Sequence, residues 1–381
     1  MSRPLTAPDN RTDVCVIGAG VAGLATAITA ARSGLRVTLL EASTFPRAKV
    51  CGGCVNGAAA GVLRELGVGD LLDRQAARLS RAVICTPTAV AETPIPMSLG
   101  IARDELDDDL LRVAIEAGVD VRTECRARVE RADRGAGVRG VRLPDGGLIE
   151  AKLIVTACGL SRSAHTRTGD VDHAVSPNSR VGVGVVFDSP RSTRREVVTM
   201  CVSDAGYVGI ASAGGTRVSV AAAVSPKVLK EFGGPAGAVR SILTAAGSDW
   251  TNAIREDGWL ATPALTRQSR TPAAWRLVEV GDSAGYVEPF TGEGMAWALL
   301  GGREAGRHAA AWCEDPARAA AEWPKLLRRR TAARKAVCRS IAWTLRRPRL
   351  TNAVVRAIAA VPAFGTAATI GTTAKPLPNT P

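Results

Sequence analysis

"DVCVIGAGVAGLATAITAARSGLRVTLLEAS" (residues 13–43) predicts a strand, a glycine turn built on Gly18, Gly20 and Gly23, and then an alanine-rich helix. Gly34 stops the helix, and a second strand ends at Glu41. The first glycine permits a tight turn, the second lets backbone approach a pyrophosphate, and the third lets the helix pack on the strand. The helix N-terminus stabilises the phosphate charge, and Glu41 can accept hydrogen bonds from a ribose diol. The stretch therefore predicts a site for FAD or NAD rather than NADP.

A second stretch separates FAD from NAD. "RLVEVGDSAGYVEPFTGEGMAWALLGGREAG" (residues 276–306) predicts a strand that ends near Asp282, a glycine-rich loop and a helix from about Gly294. Such a loop offers a carboxylate for a sugar hydroxyl and backbone N–H groups for a phosphate or a flavin carbonyl. An NAD site does not need this distant element, whereas an extended FAD molecule does. We therefore predict FAD.

Together these motifs resemble flavoproteins of the para-hydroxybenzoate hydroxylase fold, and more closely their geranylgeranyl reductase branch. Besides the first stretch, the resemblance depends on "RAKVCGG" (residues 47–53), "IARDELDDDLLRVAIEAGVDV" (residues 101–121) and "GDSAGYVEPFTGEG" (residues 281–294). It implies that the pyrophosphate of FAD lies at Gly18, Gly20 and Gly23, with Glu41 at the adenosine ribose and Val129 beside the adenine. Arg47 and Arg103 would lie along the cofactor, and Asp282 at its ribityl–pyrophosphate part. The isoalloxazine would lie at Gly292, Gly294 and Met295.

The sequence departs from related families at three places. Cys158-Gly159 stands where aromatic hydroxylases of this fold have Asp-Gly, and Gly285 stands where they have histidine. Around Tyr207, the segment "AGYVGIASAGG" (residues 205–215) has small residues where archaeal-type geranylgeranyl reductases have aromatic ones, and the chain has no Trp-x-Trp pattern of flavin halogenases. The substrate pocket should therefore differ from theirs.

The fold class expected is α/β (α+β), with a Rossmann-type FAD-binding domain that carries a β-meander, an inserted antiparallel-sheet substrate domain and C-terminal helices. We assign residues 1–75, 98–170 and 262–305 to the FAD domain, 76–97 and 171–261 to the substrate domain, and 306–381 to a basic helical segment. The meander is expected over residues 119–157, with turns at "DRGAG" and "PDGG". One helical patch is expected at "PKVLKEF", and "AKPLPNTP" should be frayed.

Composition fits a globular protein: 381 residues are 46% apolar and 22% charged, with a net charge of +13. The first residues lack a signal-peptide pattern and no apolar stretch is long enough to span a membrane, so we expect a cytoplasmic protein.

From Arg303 to Arg349 the chain has 13 Lys and Arg against 4 Asp and Glu, which gives this segment a net charge of +9. With 4% aromatic residues and no zinc-finger or RNP-like run, nucleic acid is not an expected partner. Two interpretations of the basic segment stay open: a solvated basic face, and peripheral contact with an anionic membrane. The second is kept because Trp343 and apolar residues lie among the arginines.

Cys51 and Cys54 form a C-x-x-C spacing within "KVCGGCVNG" (residues 49–57). Disulfide oxidoreductases carry paired cysteines after a similar fingerprint, but they space them by four residues and add a second dinucleotide motif, which this chain lacks. A zinc site is disfavoured because the chain has three histidines and no second C-x-x-C, so no metal is predicted. The odd total of nine cysteines indicates reduced thiols rather than a disulfide framework.

The function expected is a geranylgeranyl reductase-like FAD-dependent oxidoreductase acting on a small apolar substrate of prenyl, alkyl or polyketide type, with NAD(P)H as reductant. The resemblance implies Cys51 near the isoalloxazine as a proton donor, with Tyr207 as a second acid candidate; simple packing is the alternative for each. Two further readings stay open. One is an FAD-dependent monooxygenase that hydroxylates a phenolic or polyketide-like substrate. The other is a non-catalytic binding protein, as in Rab GDP-dissociation inhibitors, which resemble flavoproteins without holding flavin.

Overall fold

The computed structural model of the protein describes residues 10–164, 169–189, 196–288 and 290–361. The first half of the chain forms β1 (Arg11–Ile17), α1 (Val21–Arg32), β2 (Val37–Leu40), β3 (Cys54–Val55), α2 (Gly57–Leu66), α3 (Gly69–Gln75), β4 (Ala77–Thr86), β5 (Ala89–Gly100), α4 (Arg103–Glu116), β6 (Asp120–Arg122), β7 (Arg128–Val129), β8 (Arg139–Arg142) and β9 (Leu148–Thr156).

The second half begins with a strand-rich region and ends in helices. Its elements are β10 (His173–Val175), β11 (Val181–Asp188), β12 (Val197–Ser203), β13 (Gly206–Ser212), β14 (Arg217–Val224), α5 (Pro226–Glu231), α6 (Pro235–Ala245), β15 (Leu260–Ala264), β16 (Arg267–Ser269), β17 (Ala273–Ala274), β18 (Leu277–Glu279), β19 (Gly285–Tyr286), α7 (Gly294–Glu314), α8 (Pro316–Thr344) and α9 (Pro348–Ala360).

The first sheet carries the glycine turn. Its strands run in the order β17-β18-β9-β1-β2-β6, and β18, β9, β1, β2 and β6 are mutually parallel. Alternation along β1 places Val14 and Val16 in a core with α1, α2, α4 and α7, and Cys15 and Ile17 in a core with the meander. The sheet is thus covered on both faces, as parallel sheets require.

The meander is shorter than the sequence predicted. Strands β7, β8 and β9 form it, with antiparallel pairing and turns at the two expected places. β6 is not part of it, because that strand pairs in parallel with β2 at the edge of the first sheet. The sequence of a three-residue edge strand carries no pattern that distinguishes parallel pairing with β2 from antiparallel pairing within the meander.

A second eight-stranded sheet, which we call the roof sheet, has the order β15-β11-β14-β13-β12-β4-β5-β3. The sheet is antiparallel, as expected, except that β12 runs parallel to β4 across the register Val197–Arg81 to Cys201–Cys85. The helical patch at 226–232 appears as α5. A second helix, α6, was missed and packs on the outer face of the roof sheet.

Three of the proposed domain boundaries divide single elements. The boundaries at 97/98 and 261/262 fall inside β5 and β15, and the one at 305/306 falls inside α7. α7 packs along α1, where the Thr26 hydroxyl donates to the Gly302 carbonyl at 3.0 Å. The helix therefore belongs with the FAD region as far as Glu314. The C-terminal "AKPLPNTP" lies outside the described residues.

Within the described ranges, no helix combines the length and apolar character needed to cross a membrane. In the same part of the chain, no group of three or more His, Cys, Asp or Glu side chains is arranged to hold a metal ion.

Candidate functional site

The turn between β1 and α1 is shaped to receive a phosphate. Gly18 adopts φ +106°, and a Cβ there would lie 2.5 Å from the carbonyl oxygen of Ala157. A Cβ on Gly23 would lie 1.9 Å from the Gly18 oxygen, so both positions require glycine. Gly20 precedes α1 and no side chain caps that terminus. The first N–H groups of α1 are thus available to an anion, as a pyrophosphate site requires.

Cationic side chains surround this turn. The Nζ atom of Lys49 lies 3.1 Å from the position of a Cβ on Gly20, directly over the helix start. Burial and, to a smaller extent, the nearby charges of Arg47 and Arg103 together lower the pKa of Lys49 to about 8. An anion bound beside Lys49 would raise this pKa again, because it favours the charged form of the lysine. Sequence reasoning did not select Lys49, although the residue lies within the quoted "RAKVCGG".

Two carboxylates hold the arginines in place. Arg103 donates to both oxygens of Asp107 at 2.8 Å, while Arg47 lies 3.3 Å from Glu41 and 3.4 Å from Asp107. Glu41 in turn accepts from the backbone N–H of Ala19 at 2.8 Å, which ties it to the glycine turn. Lys49 adds a third cation to this cluster, and the buried Asp282 also interacts with Lys49 and Arg103.

Arg47 still has hydrogen-bonding capacity. Its Nη2 donates to the Ala19 carbonyl at 2.9 Å, but its buried Nε and Nη1 atoms make no hydrogen bond within the described residues. Buried donors of this kind are rarely left without a partner. Together with the glycine turn and the neighbouring cations Lys49 and Arg103, they fit the diphosphate and ribose of FAD.

A cavity of about 550 Å³ lies between this cofactor region and the roof sheet. The predicted site residues that line it are Gly20, Cys51, Arg103, Tyr207, Asp282, Gly292, Gly294 and Met295. Gly18, Gly23, Glu41, Arg47 and Val129 lie outside its lining. The side chain of Val129 is buried in the core shared with the meander, and its backbone N–H donates to the Ala164 carbonyl at 3.0 Å. Its contact with the adenine stays a prediction.

The loops around Cys51 and Gly292, which the resemblance puts at the isoalloxazine, meet in this cavity. A Cβ on Gly292 would lie 3.3 Å from the Cβ of Cys54. The buried Glu293 accepts from Asn56 at 2.9 Å and lies 3.2 Å from Arg334 of α8. Asn56 also caps α2 by accepting from the backbone N–H of Ala59. The loop at 292–294 is therefore fixed by a side chain 237 residues earlier in the chain and by the basic C-terminal segment.

The basic segment is thus only partly a solvated face. Lys335 donates to the Gly285 carbonyl at 3.0 Å, and burial lowers its pKa to about 8. The nearby Asp282 is also buried, which raises the pKa of its carboxyl. Arginine and lysine at these positions gave no sequence signal, because they lie in an otherwise ordinary basic helix.

The C-x-x-C thiols both line the cavity, and both are free. Cys51 Sγ accepts from the Gly53 N–H at 3.4 Å, and the Cys51 carbonyl accepts from the Ser219 hydroxyl at 2.9 Å. Burial, with a smaller effect of Cys51, raises the pKa of Cys54 to about 12. Cys54 is therefore a neutral thiol at physiological pH.

Tyr207 lies at the roof of the cavity. Its ring packs edge to face on Phe290 with centroids 5.2 Å apart, and the guanidinium of Arg180 lies 5.6 Å from its centroid. Arg180 lies 3.1 Å from the buried Glu288. Burial raises the pKa of Tyr207, and the charge of Glu288 raises it further. The phenol is therefore protonated at physiological pH.

Comparison with known proteins agrees with this geometry. The model of the family described as FAD binding domain matches residues 11–318. The chain belongs to this family. It is 30% identical to digeranylgeranylglycerophospholipid reductase 2 of Methanothermobacter thermautotrophicus, over 78% of this chain and 77% of that protein. It is 29% identical to menaquinone reductase of Mycobacterium tuberculosis, over 90% of this chain and 86% of that protein.

Solved structures show the same fold at lower identity. PqsL of Pseudomonas aeruginosa in complex with 2-aminobenzoylacetate superposes with a TM-score of 0.74 at 18% identity, covering 89% of this chain and 98% of that one. The flavin-dependent brominase Bmp2 gives 0.74 at 17% identity, covering 93% and 97%. The predicted fold class is confirmed, and the chain is an FAD-dependent oxidoreductase.

Proposed function

We propose that this protein uses reduced FAD to saturate a carbon–carbon double bond in the prenyl chain of an isoprenoid lipid. The observation that carries the proposal is the apolar cavity that joins the cofactor region to the roof sheet. The names of the two curated relatives support it, since menaquinone and digeranylgeranylglycerophospholipid both carry polyprenyl chains.

The roof of the cavity is suited to a methyl-branched chain. Its central strands present small residues to the cavity: Gly209 and Ala211 from β13, and Ala221 and Ala223 from β14. Larger apolar side chains such as Ile84, Met200 and Leu265 complete the lining. Small residues leave space for a chain, and the apolar surface supplies the free energy of transferring it from water.

Reduced FAD, when bound, would supply the hydride for such a reduction, and the protein has to supply a dry pocket and a proton. Cys51 and Tyr207 are the proposed donors, because both line the cavity and Tyr207 is protonated at physiological pH. Arg47, Lys49 and Arg103 hold the negative diphosphate, while Glu41 takes the ribose.

The proposed reductant of the cofactor is NAD(P)H. Cys158 stands where related hydroxylases have an aspartate, and its thiol donates to the Ile17 carbonyl at 3.4 Å. Burial raises its pKa to about 12, so this position carries no negative charge. A nicotinamide nucleotide would therefore meet a neutral side chain here.

The test is anaerobic reduction of the purified holoenzyme by NADPH or NADH, followed by reoxidation with menaquinone or a geranylgeranyl lipid. We expect flavin reoxidation and a lipid product with two more hydrogens in the prenyl chain, located by mass spectrometry. Equal reoxidation by a quinone without a prenyl chain, with no chain reduction, would instead indicate attack on the ring. Oxygen consumption stoichiometric with reductant, with hydroxylation of an alkylphenol, would establish the monooxygenase reading and refute the proposal.

A further inference from the structure

The C-terminal helices form a corner with one buried apolar side and one exposed apolar flank. We define the docking corner as residues 339–361, from the last turns of α8 through α9. On the inner side of α9, Val355 and Ile358 are buried against Ala91 of β5. This contact holds the helix on the β4–β5 hairpin and leaves its other side exposed.

A flank of α9, about 100° around the helix axis from the buried Val355 and Ile358, carries a second apolar stripe. Leu350, Val354 and Ala357 are exposed and follow one another at intervals of four and three residues, and the exposed Val361 directly follows the end of α9. This spacing places the first three along one side of the helix. Leu350, Val354 and Val361 are 37%, 42% and 45% exposed. Trp343, at the end of α8, is 53% exposed and is covered on one side by the guanidinium of Arg347 at 3.6 Å.

The corner is also strongly positive. It contains five arginines and no aspartate or glutamate: Arg339, Arg346, Arg347, Arg349 and Arg356. Arg349 and Arg356 are exposed beside the apolar stripe. Apolar residues and a tryptophan among arginines are the composition of interfacial helices that bind anionic bilayers.

We propose that the docking corner binds an anionic lipid bilayer. A nucleic acid would gain little from the apolar stripe, since its phosphates interact with the charges alone. A second copy of the chain would bring two clusters of arginines together, and among the described residues only Arg346 of each cluster is paired with a carboxylate, that of Glu288. A bilayer with acidic headgroups satisfies both features at once.

The corner shares a wall with the cavity. Ile84 packs against the buried side of α9 and also lines the cavity. Ile341 and Leu345, at the end of α8, belong to the same apolar cluster as Met200 and Tyr207, which line the cavity too. Docking would therefore place the bilayer beside the cavity wall. On the proposed function, a prenyl chain could then pass from lipid to cavity without crossing water.

The test is co-sedimentation of the purified holoenzyme with phosphatidylcholine vesicles that do or do not contain phosphatidylglycerol. We expect binding to the anionic vesicles only, weakened by salt. Leu350→Ser with Val354→Ser should weaken it roughly tenfold or more through lost apolar burial. Arg349→Gln with Arg356→Gln should weaken vesicle binding about 30-fold at low salt, because each arginine near the membrane contributes a similar free energy of attraction to the anionic lipids.

Matched controls carry the same changes on other surfaces. Ile115→Ser removes an apolar side chain that is 56% exposed on α4, and Arg131→Gln with Arg134→Gln removes two exposed charges near the meander. These variants should bind as the wild type does. The docking proposal is overturned if the wild type does not sediment with anionic vesicles, or if the controls weaken binding as much. It is also overturned if light scattering shows a dimer that Leu350→Ser with Val354→Ser dissociates, because the stripe would then be a protein contact.

Turnover separates this proposal from the proposed function. The docking variants should reduce a short, water-soluble prenyl substrate at the wild-type rate and a vesicle-embedded long-chain substrate more slowly. If no prenyl substrate is reduced, the proposed function fails, while vesicle binding still decides the docking proposal by itself.

Discussion

Replacing Lys49 with methionine should weaken FAD binding and stabilise the apoprotein at the same time. The Nζ atom lies over the start of α1, at 3.1 Å from a Cβ position on Gly20, where the resemblance puts the pyrophosphate. A charge-assisted hydrogen bond at this place contributes about 1.5–3 kcal/mol. Its loss should raise the Kd of FAD about ten- to a hundredfold.

The pH dependence provides a second signature. In the apoprotein, burial and the charges of Arg47 and Arg103 lower the pKa of Lys49 from 10.5 to about 8. Because the folded pKa is below the unfolded one, the charged lysine destabilises the apoprotein below about pH 8, and this cost disappears as the pH rises from about 8 to 10.5. FAD prefers the charged form, so the Kd should rise with pH above about 8, by up to about tenfold per unit.

The assay is titration of the apoprotein with FAD, followed by flavin fluorescence from pH 7 to 9.5, with thermal unfolding of the apoprotein beside it. Lys49→Met should show a higher Kd, a flatter pH profile and a higher apoprotein Tm. Lys227→Met, on an exposed surface, should change none of these. Wild-type FAD affinity together with a lower Tm in Lys49→Met would show that the lysine is a structural cation, and the reasoning would be refuted.

Three other outcomes are expected. Gly302→Ala places a Cβ 2.1 Å from a backbone oxygen of α1 and should lower the free energy of unfolding by about 1–3 kcal/mol. Gly301→Ala is the control, because a Cβ there meets nothing within 4 Å. Chemical denaturation measures the stability of both variants. Cys51→Ser should lower prenyl reduction more than Cys54→Ser, and equal losses in steady-state turnover would restore the dithiol reading. Tyr207→Phe should retain FAD and its absorption spectrum but lose about 10²–10⁴ in turnover if the phenol donates the proton, so an unchanged rate would show a packing role.

Much of the cofactor region was predictable because its signals are local. Gly18 is required by its own backbone φ of +106° and Gly23 by its contact with the Gly18 oxygen, both within one strand–turn–helix unit, which the structure forms as β1, the turn and α1. The helix start at Gly294 was predicted for the same reason. The extent of the meander and the parallel pair β4–β12 were not, because pairing partners of short or evenly apolar strands depend on the rest of the sheet.

The site contained residues that no local pattern indicates. Lys49 and Asp107 lie within recognised motifs, but their charges matter only because Arg47 and Arg103 lie beside them in space. The role of Glu293 depends on the tertiary fold, because Asn56 and Arg334 donate to its carboxylate from two distant segments of the chain.

The sequence by itself determined the FAD-binding glycine turn and the fold class, because backbone sterics within a few residues leave glycine as the only choice. Tertiary structure decided which side chains face the cavity: both thiols, Tyr207 and the lysine over the helix start. It also decided that the basic C-terminal segment divides into two parts. Arg334 and Lys335 contact Glu293 and the Gly285 carbonyl, while residues 339–361 form the docking corner with its exposed apolar flank. Such assignments depend on packing between segments far apart in the chain, which residue order alone does not specify.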